Sequence, residues 1–255
     1  MIMCTVSWIR GADDYQLFFN RDERRTRLQA LPPRLLSRDG VRFLAPVDGD
    51  FGGTWISTNE FGISLCLLNG ANLTGSSGPP PTAARSLGLL LPELISSANI
   101  SDVYDRLQRT DFAYYAPLTL VGMGLGAAAV AIEWDGRQRV SNVMEQSCFM
   151  LTSSSFQTEA VCQTRQTEFA RIIAVRTPDS SPTPDQAAFL QFHASHVPSR
   201  SAYSTCMHRP DAETVSFSQI TATAQSTELL YSPAAPCQQV QAASWTLPRR
   251  NQHSG

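Results

Sequence analysis

Two side chains near the start of the sequence have the types needed for nucleophilic chemistry. Cys4 lies in a short apolar segment, and Asp22 lies at the end of a second one, in the stretch FNRDERR of residues 19–25. A cysteine thiol becomes a strong nucleophile when a neighbouring base removes its proton, and a carboxylate can orient such a base. A charge at the edge of a core also needs a partner. Cys4 and Asp22 are therefore candidates for one site.

The two apolar segments predict a β-hairpin that brings these residues together, because they flank the turn sequence RGADD. With the turn centred on Ala12, Cys4 faces Asn20, and Asp22 lies one diagonal further along. Period-2 alternation then places Cys4, Asn20 and Asp22 on one face of the hairpin. Arg21 points to the other face. The thiol and the carboxylate are expected to be neighbours.

The position of Cys4 directly after Met3 suggests how the thiol could be activated. If translation begins at Met3, removal of that methionine leaves Cys4 with a free α-amine. The amine could then serve as the base for its own thiol, as in enzymes with an N-terminal threonine. Asp22 would hold the ammonium form in place. The alternative, that Cys4 is an ordinary buried strand cysteine, stays open.

Composition limits the chemistry and the partners. All 20 basic residues are arginine, which excludes Schiff-base, pyridoxal phosphate and phosphate-loop lysine chemistry. A net charge of -2 gives no reason to expect nucleic acid as a partner. The six cysteines form no C-x-x-C pair, so they are expected to be reduced thiols of a cytoplasmic protein. Neither a signal peptide nor a membrane span is predicted.

The order of predicted elements is strands, helices, strands, helices, strands. This grouping favours an α+β protein, a four-layer α-β-β-α sandwich, and not a βαβ array. We expect one domain over residues 3–231 and an irregular tail over 232–255. Residues 31–36 and 39–53 are predicted to be loops because of their proline, glycine and aspartate content. Residues 202–208 are predicted to be a strand.

Histidine and cysteine residues in the C-terminal half raise the question of a metal. His193 and His196 lie three apart on a predicted helix, and Cys206 and His208 alternate in the predicted strand. Imidazole and thiolate are the usual ligands of zinc, but the spacing fits no standard zinc finger. We therefore predict no metal site, and we interpret His208 as a pocket residue.

Several stretches together resemble the NRDE family, which includes the transport and Golgi organisation protein 2 homologues. They are Cys-Thr at residues 4–5, FFNRDERR, GGTW, NEFGISLCLLNG and CMHRPDAETVSFSQI, and the resemblance extends from Cys4 to about Tyr231. The family is similar in turn to the cysteine branch of the N-terminal nucleophile (Ntn) hydrolases, the choloylglycine hydrolases and penicillin V acylases. The resemblance implies their fold.

The resemblance also implies site residues. Asn20 and Asp22 match the R-N-x-D segment of those hydrolases, whose arginine falls here on Phe19. A later asparagine of theirs is replaced by Ser153 or Ser154. The segment N-E-x-G…L-N is matched by Asn59, Glu60, Gly62, Leu68 and Asn69. In that branch the asparagine of the L-N pair helps to bind the oxyanion, a role that Asn69 could inherit.

These observations lead to one functional prediction and one alternative. We predict a cysteine Ntn-type amidohydrolase without a cofactor that cleaves a non-peptide C–N amide bond in a small molecule. Its catalytic residues would be Cys4, Asp22 and Asn69, and its substrate contacts would be Asn20, Arg21, Trp55 and His208. The family resemblance also implies the alternative, a non-catalytic protein that handles haem or lipid, with His208 or Cys4 as haem contacts. The oligomeric state stays open.

The first testable prediction concerns the start of the native chain. We expect it to begin at Cys4, because Ile2 blocks removal of Met1 whereas the small side chain of Cys4 permits removal of Met3. Intact-mass measurement of the protein expressed from its own upstream region checks this. A chain that retains Met1 would contradict it.

Overall fold

The computed structural model describes residues 4–70, 85–176 and 185–250. Within these residues, two antiparallel sheets lie between helices. The six-stranded sheet has the order β10-β1-β2-β11-β12-β13, with bounds β1 Cys4–Arg10, β2 Tyr15–Arg24, β10 Cys148–Ser153, β11 Ala212–Ala222, β12 Ser226–Ser232 and β13 Ala243–Pro248. The seven-stranded sheet runs from β3 to β9 in chain order, with bounds β3 Leu31–Arg38, β4 Val41–Val47, β5 Ile56–Asn59, β6 Ser64–Asn69, β7 Leu118–Met123, β8 Ala129–Trp134 and β9 Arg139–Met144.

The two sheets face each other across the main hydrophobic core. Alternate residues of β1 and β2 point into this core, and the facing strands of the second sheet supply the opposite wall. The core residues from the central strands are Val6, Trp8, Leu17, Phe19, Ile56, Cys66, Leu68 and Val121, all at most 1% exposed. This packing fixes the distance between β1 and β6, the strands that carry the predicted site.

Helices cover the outer face of each sheet. The helices α1 (Leu90–Leu94) and α2 (Ile100–Arg109) pack on the seven-stranded sheet. The helices α3 (Thr158–Arg176) and α4 (Gln186–His193) pack on the six-stranded sheet. The predicted four-layer α-β-β-α sandwich is confirmed. No described helix has both the length and the apolar character needed to cross a membrane.

The register of the first hairpin differs from the prediction by one residue. Cys4 pairs with Arg21, and Thr5 pairs with Asn20. The turn is centred between Ala12 and Asp13, because the backbone N–H of Gly11 bonds to the carbonyl oxygen of Asp14 at 3.0 Å. A slip of one residue moves every side chain to the other face. The predicted face shared by Cys4, Asn20 and Asp22 is therefore wrong.

Two other local predictions are also wrong. Residues 31–36 and 39–53 were expected to be loops, but β3 contains all of the first range and β4 contains residues 41–47 of the second. Pro32 and Pro33 are tolerated because β3 is an edge strand and its pairing with β4 shifts register between Leu31 and Arg34, which leaves both prolines out of the ladder. Residues 202–208 form no strand; only His208 makes an isolated bridge, to Glu213. Most of the polar connection over residues 70–82 lies outside the described residues.

The C-terminal segment is not an irregular tail. Residues 232–255 contain a short 3-10 helix, Pro236–Gln238, and the strand β13, which pairs with β12 along its whole length. In β13 only Trp245 and Leu247 face the core, so the apolar alternation is too short to stand out in the sequence. Leu247 is 2% exposed and packs in the main core, whereas its neighbours are largely exposed. Residues 251–255 lie outside the described residues.

The second prediction tests this role of β13. Leu247→Ala should lower the free energy of unfolding by about 2–5 kcal/mol, because it empties a buried leucine site. Leu31→Ala is the matched control, since Leu31 is 51% exposed and its loss should change stability by less than about 0.5 kcal/mol. Urea denaturation measures both. Equal effects would mean that β13 does not contribute to the core.

Candidate active site

A cleft between the two sheets brings together Cys4, Arg21, Trp55 and Asn69. Cys4 begins β1 and Asn69 ends β6, so the cleft lies where these strands of facing sheets open to solvent. Cys4 is 3% exposed, which leaves its sulfur at the floor of the cleft. The remaining lining residues are Glu23, Arg27, Asp48, Phe51, Gly53, Thr54, Leu67, Ser86, Leu87 and Gly88. The cleft thus combines a thiol, an amide and fixed charges.

Arg21 is a firmly held cation beside Cys4. Its guanidinium lies 4.0 Å from the centre of the Trp55 ring and forms an ion pair with Asp48. Asp48 also binds Arg27 at 2.7 Å. Burial of Asp48 opposes its ionisation, but the backbone N–H of Phe51 and the two arginines outweigh it and lower the pKa of Asp48. The wall of the cleft is therefore an ionised network at neutral pH.

Three arginines follow Arg21, at positions 24, 25 and 27, and two of them form ion pairs. Arg27 binds Asp48 and also Asp50, the latter at 2.7 Å, with 22% of its side chain exposed. Arg25 bonds to Glu213 at 2.7 Å and is 45% exposed. Arg24 is exposed. Of these three arginines, Arg27 lines the cleft.

Asp22 lies on the opposite face of β2 and is fully buried beneath the helix layer. Its Oδ1 accepts a hydrogen bond from the Thr214 hydroxyl at 2.6 Å, and its Oδ2 lies 3.5 Å from Arg165 Nη2. A bulge in β11 between Thr214 and Ser216 lets Thr214 face Asp22. Burial raises the pKa of Asp22 to about 6, against the opposing effect of Arg165.

Arg165 is a buried site residue that the sequence analysis missed. It is 1% exposed, and its Nη1 donates to the hydroxyls of Thr5 at 2.7 Å and Thr152 at 3.0 Å. The sequence of α3 contained a pattern that could have identified Arg165. Arg165 lies four residues after Val161 on the face that continues to Ile172, and both of these are buried. A cation on an apolar face indicates a buried partner, here Asp22.

Asn20 does not line the cleft either. Its Nδ2 donates to the carbonyl oxygens of His193 and Thr205, both at 2.9 Å, and its Oδ1 lies 3.0 Å from His193 Nδ1. His193 Nε2 in turn lies 2.8 Å from the Ser7 hydroxyl. Burial and the charge of Arg165 lower the pKa of His193 to about 3, so the ring is neutral. Asn20 therefore anchors α4 to the sheet.

The Cys4 thiol is strongly perturbed. Burial, with the nearby charge of Asp22, raises its pKa to about 12, although the backbone N–H of Asp22 donates to the sulfur. The Cys4 backbone nitrogen donates to the hydroxyl of Ser153, one of the two serines that the resemblance matches to the acylases' asparagine, at 3.3 Å. From the sequence, the α-amine of an N-terminal Cys4 was expected to activate its thiol. With the raised pKa described here, the thiol needs such a base to lose its proton near neutral pH. Residues 1–3 lie outside the described residues, so the start at Cys4 stays a prediction.

The residues that match the N-E-x-G…L-N segment have two roles: some shape a turn, and one lines the cleft. Asn59 closes the turn between β5 and β6, because its Oδ1 accepts from the backbone N–H groups of Phe61 and Ile63 at 2.9 and 3.0 Å. Gly62 adopts φ 77°, which favours glycine. At GGTW, a Cβ on Gly53 would lie 2.7 Å from the Gly88 backbone, so these two backbone segments approach closely. From this motif, Asn69 reaches the cleft.

His208 lies outside the cleft. It is half-buried beside His196, Cys206 and Cys237. His193, which was considered with it from the sequence as a possible metal ligand, lies elsewhere and is held by Asn20. Cys4 and His208 therefore do not line a common pocket in the described part of the chain.

The four-layer architecture is that of the Ntn-hydrolase fold. The chain superposes on an N-acylethanolamine-hydrolyzing acid amidase (NAAA) ortholog of Caenorhabditis elegans with a TM-score of 0.58 and 14% identity, over 96% of this chain and 100% of that one. It superposes on penicillin V acylase from Agrobacterium tumefaciens with a TM-score of 0.54 and 12% identity, over 96% of this chain and 86% of that one. At these identities the likeness shows the fold alone.

The sequence itself assigns the family. A model of the Transport and Golgi organisation 2 family matches residues 3–228, and the chain belongs to this family. The resemblance of the NRDE motif is thereby confirmed. Among curated proteins, none matches the chain by sequence.

The third prediction tests the buried pair of Arg165 and Asp22. Arg165→Met should lower the free energy of unfolding by about 3–5 kcal/mol at about pH 8, because it leaves a buried carboxylate unpaired. The loss should shrink as the pH falls towards about 5. Burial already holds the pKa of Asp22 above its unfolded value, and losing the cation raises it further, so the folded variant takes up a proton that the unfolded chain does not.

Denaturant titrations of the wild type and the variant across this pH range measure the effect. Arg171→Met is the matched control on α3, since Arg171 is 55% exposed and its partner Glu168 keeps a hydrogen bond from the Ser195 hydroxyl at 2.8 Å. Its effect should be far smaller. A pH-independent loss in Arg165→Met would show that Arg165 does not balance the charge of Asp22.

Proposed function

We propose that this protein hydrolyses a non-peptide C–N amide bond in a small molecule, with Cys4 as its N-terminal nucleophile. The observation that carries the proposal is the convergence of Cys4 and Asn69 on one cleft at the mouth of the sandwich. The thiol and the amide come from facing sheets, so the core holds their separation fixed. Such fixed geometry is what nucleophilic attack and oxyanion binding require.

The surroundings of Asp22 support a free amine at Cys4. Asp22 Oδ2 is buried and makes no hydrogen bond among the described residues, although the Arg165 cation lies 3.5 Å away. Cys4, the first residue of β1, pairs with Arg21 of β2. Asp22 is the next residue of β2, so it lies just past the end of β1 at which Cys4 stands. In the processed chain, the α-ammonium of Cys4 would donate to this oxygen and to the Ser153 hydroxyl.

The residues support a two-step reaction. The neutral α-amine takes the proton of the Cys4 thiol, and the sulfur attacks the amide carbonyl carbon. Asn69 donates a hydrogen bond to the oxygen that gains negative charge. The ammonium then gives its proton to the departing nitrogen, and the C–N bond breaks to leave a thioester. Water, deprotonated by the same amine, attacks the thioester and releases the acid and the free thiol.

The cleft indicates the kind of substrate. Phe51, Leu67 and Leu87 offer apolar surface, while Arg21 and Arg27 are paired with acids and provide little net charge. An acyl group with an apolar body suits this lining better than a strongly charged one. The two similar structures are an ortholog of an amidase that hydrolyses N-acylethanolamines and an acylase of penicillin V. We propose an N-acyl amide as the substrate class.

The alternative is a protein of the same fold that handles haem or lipid without turnover. Because His208 and Cys4 line different places, haem would contact one of them and not both. A lipid could still occupy the cleft beside Cys4, and the two functions differ in one respect. Hydrolysis passes through a covalent acyl group on Cys4, whereas handling leaves the thiol unmodified.

The fourth prediction tests the proposal with a chain expressed from Met3 and shown by mass to begin at Cys4. It should release amine from N-acylethanolamines or penicillin V and take up one acyl group on Cys4 from an activated p-nitrophenyl ester. Cys4→Ala should abolish both. Asn69→Ala should lower kcat by about 10²–10³-fold, because one oxyanion donor is lost. Asn142→Ala, in an exposed position of β9, should leave kcat unchanged.

A chain that retains Met1 serves as the second control. Its Cys4 has no free amine, and burial keeps the pKa of the thiol near 12, so acylation at about pH 7 should be negligible. No acylation of Cys4 in the processed chain would overturn the proposal. Saturable lipid binding by that unreactive chain would support the handling alternative instead.

A further inference from the structure

Four potential metal ligands meet at one point behind β2. They are His196, Cys206, His208 and Cys237, and one ligand atom of each lies within 4.8 Å of all the others. His208 Nε2 is central: it lies 3.2 Å from His196 Nε2, 3.6 Å from Cys206 Sγ and 3.4 Å from Cys237 Sγ. None of the four lines the cleft of Cys4.

Hydrogen bonding alone does not account for this cluster. An imidazole nitrogen carries either one hydrogen or one lone pair, so His208 Nε2 can satisfy only one of its three neighbours at a time. A thiol is a weak donor and a weak acceptor, and gains little from such a contact. A cation at the centre would satisfy all four atoms together.

The three distances from His208 Nε2 match those of a tetrahedral zinc site. With Zn–N near 2.05 Å and Zn–S near 2.3 Å, the ligand atoms of a tetrahedron are separated by about 3.3 Å for two nitrogens and about 3.5 Å for nitrogen and sulfur. The corresponding distances here are 3.2 Å for the nitrogens and 3.4 and 3.6 Å for nitrogen and sulfur. We propose that His196, Cys206, His208 and Cys237 form a Cys₂His₂ zinc site.

Three separate segments supply the ligands. His196 follows the end of α4, Cys206 and His208 lie in the irregular segment before β11, and Cys237 lies in the 3-10 helix after β12. The backbone N–H of Cys206 bonds to the Ser195 carbonyl oxygen at 3.0 Å, which holds the first two segments together. No zinc-finger spacing arises, because tertiary contacts and not a short loop bring the ligands together.

The charges around the cluster are compatible with zinc. Two thiolates neutralise the two charges of Zn²⁺, and each thiol releases its proton when the metal binds. The Cys237 backbone N–H donates to the Cys206 sulfur, as suits a thiolate. Arg200, Arg25 and Glu213 act on the histidines from the surrounding segments, and they give a mixed and not a strongly positive environment.

The site would be structural. Four protein ligands complete a tetrahedron and leave no position for water or substrate. The segment it closes holds the residues behind the cleft: the Thr205 carbonyl oxygen accepts from Asn20, and the backbone of Met207 bonds to Thr214, the partner of Asp22. Zinc would tie the segment before β11 to the C-terminal segment and stiffen the support of Asp22. This inference does not depend on hydrolysis by Cys4.

The fifth prediction uses Co²⁺ and Zn²⁺ added to the full chain after treatment with reductant and chelator. One Co²⁺ per chain should bind with thiolate-to-cobalt charge transfer and the intense visible bands of tetrahedral cobalt, and Zn²⁺ should displace it. Cys206→Ser/Cys237→Ser should abolish the charge-transfer band. Cys148→Ser/Cys162→Ser is the matched control, since both of those cysteines are half-buried and lie outside the cluster; it should bind as the wild type does.

A second variant keeps the test valid if the double cysteine variant fails to fold by circular dichroism. His196→Gln replaces a half-buried ligand at the rim and should weaken Co²⁺ binding by at least about tenfold. Weak octahedral spectra in the reduced wild type, or unchanged binding in His196→Gln, would overturn the proposal. So would a Cys206–Cys237 pair that forms a disulfide in air and binds no Co²⁺ once reduced.

Discussion

The pairing of β1 with β2, with Cys4 opposite Arg21, determines which side chains can reach the cleft. In this register Cys4, Arg21 and Glu23 belong to the face that looks towards the second sheet. Asn20 and Asp22 belong to the face beneath the helices. Because side chains alternate strictly along a strand, no single element could place all of these groups in one pocket. The stretch FNRDERR therefore contributes side chains both to the space between the two sheets and to the contact between the first sheet and its helices.

This division explains why the end of a buried strand carries so many charges. On the cleft side, Arg21 is held between Trp55 and Asp48, and Arg27 extends the same network. On the helix side, Asp22 meets Arg165. A buried charge is costly unless it is paired, and each charged residue in the buried part of the motif has an opposite charge nearby. The pairs fix β2 against both of its neighbouring layers.

The fold and the chemistry rest on different observations. The likeness to an acid amidase ortholog and a penicillin acylase, at 14% and 12% identity, establishes the fold alone. The proposed hydrolysis rests on Cys4 and Asn69 in one cleft. It also rests on the buried oxygen of Asp22, which could accept a hydrogen bond from a free α-amine at Cys4. The proposed zinc site rests on neither, because its ligands lie behind β2 and are held by a different part of the chain.

The sequence by itself determined the sandwich, since strand and helix periodicities are local properties and most elements follow them. It also determined Cys4 and Asn69 as candidates, because family motifs fix residue types. The tertiary structure alone decided the hairpin register, which depends on a single turn, and with it the faces of Asn20, Arg21 and Asp22. Long-range packing brought Arg165 to Asp22 and Cys237 to His208. These residues are separated by 143 and 29 positions, and no local pattern can encode contacts made only when distant segments fold together.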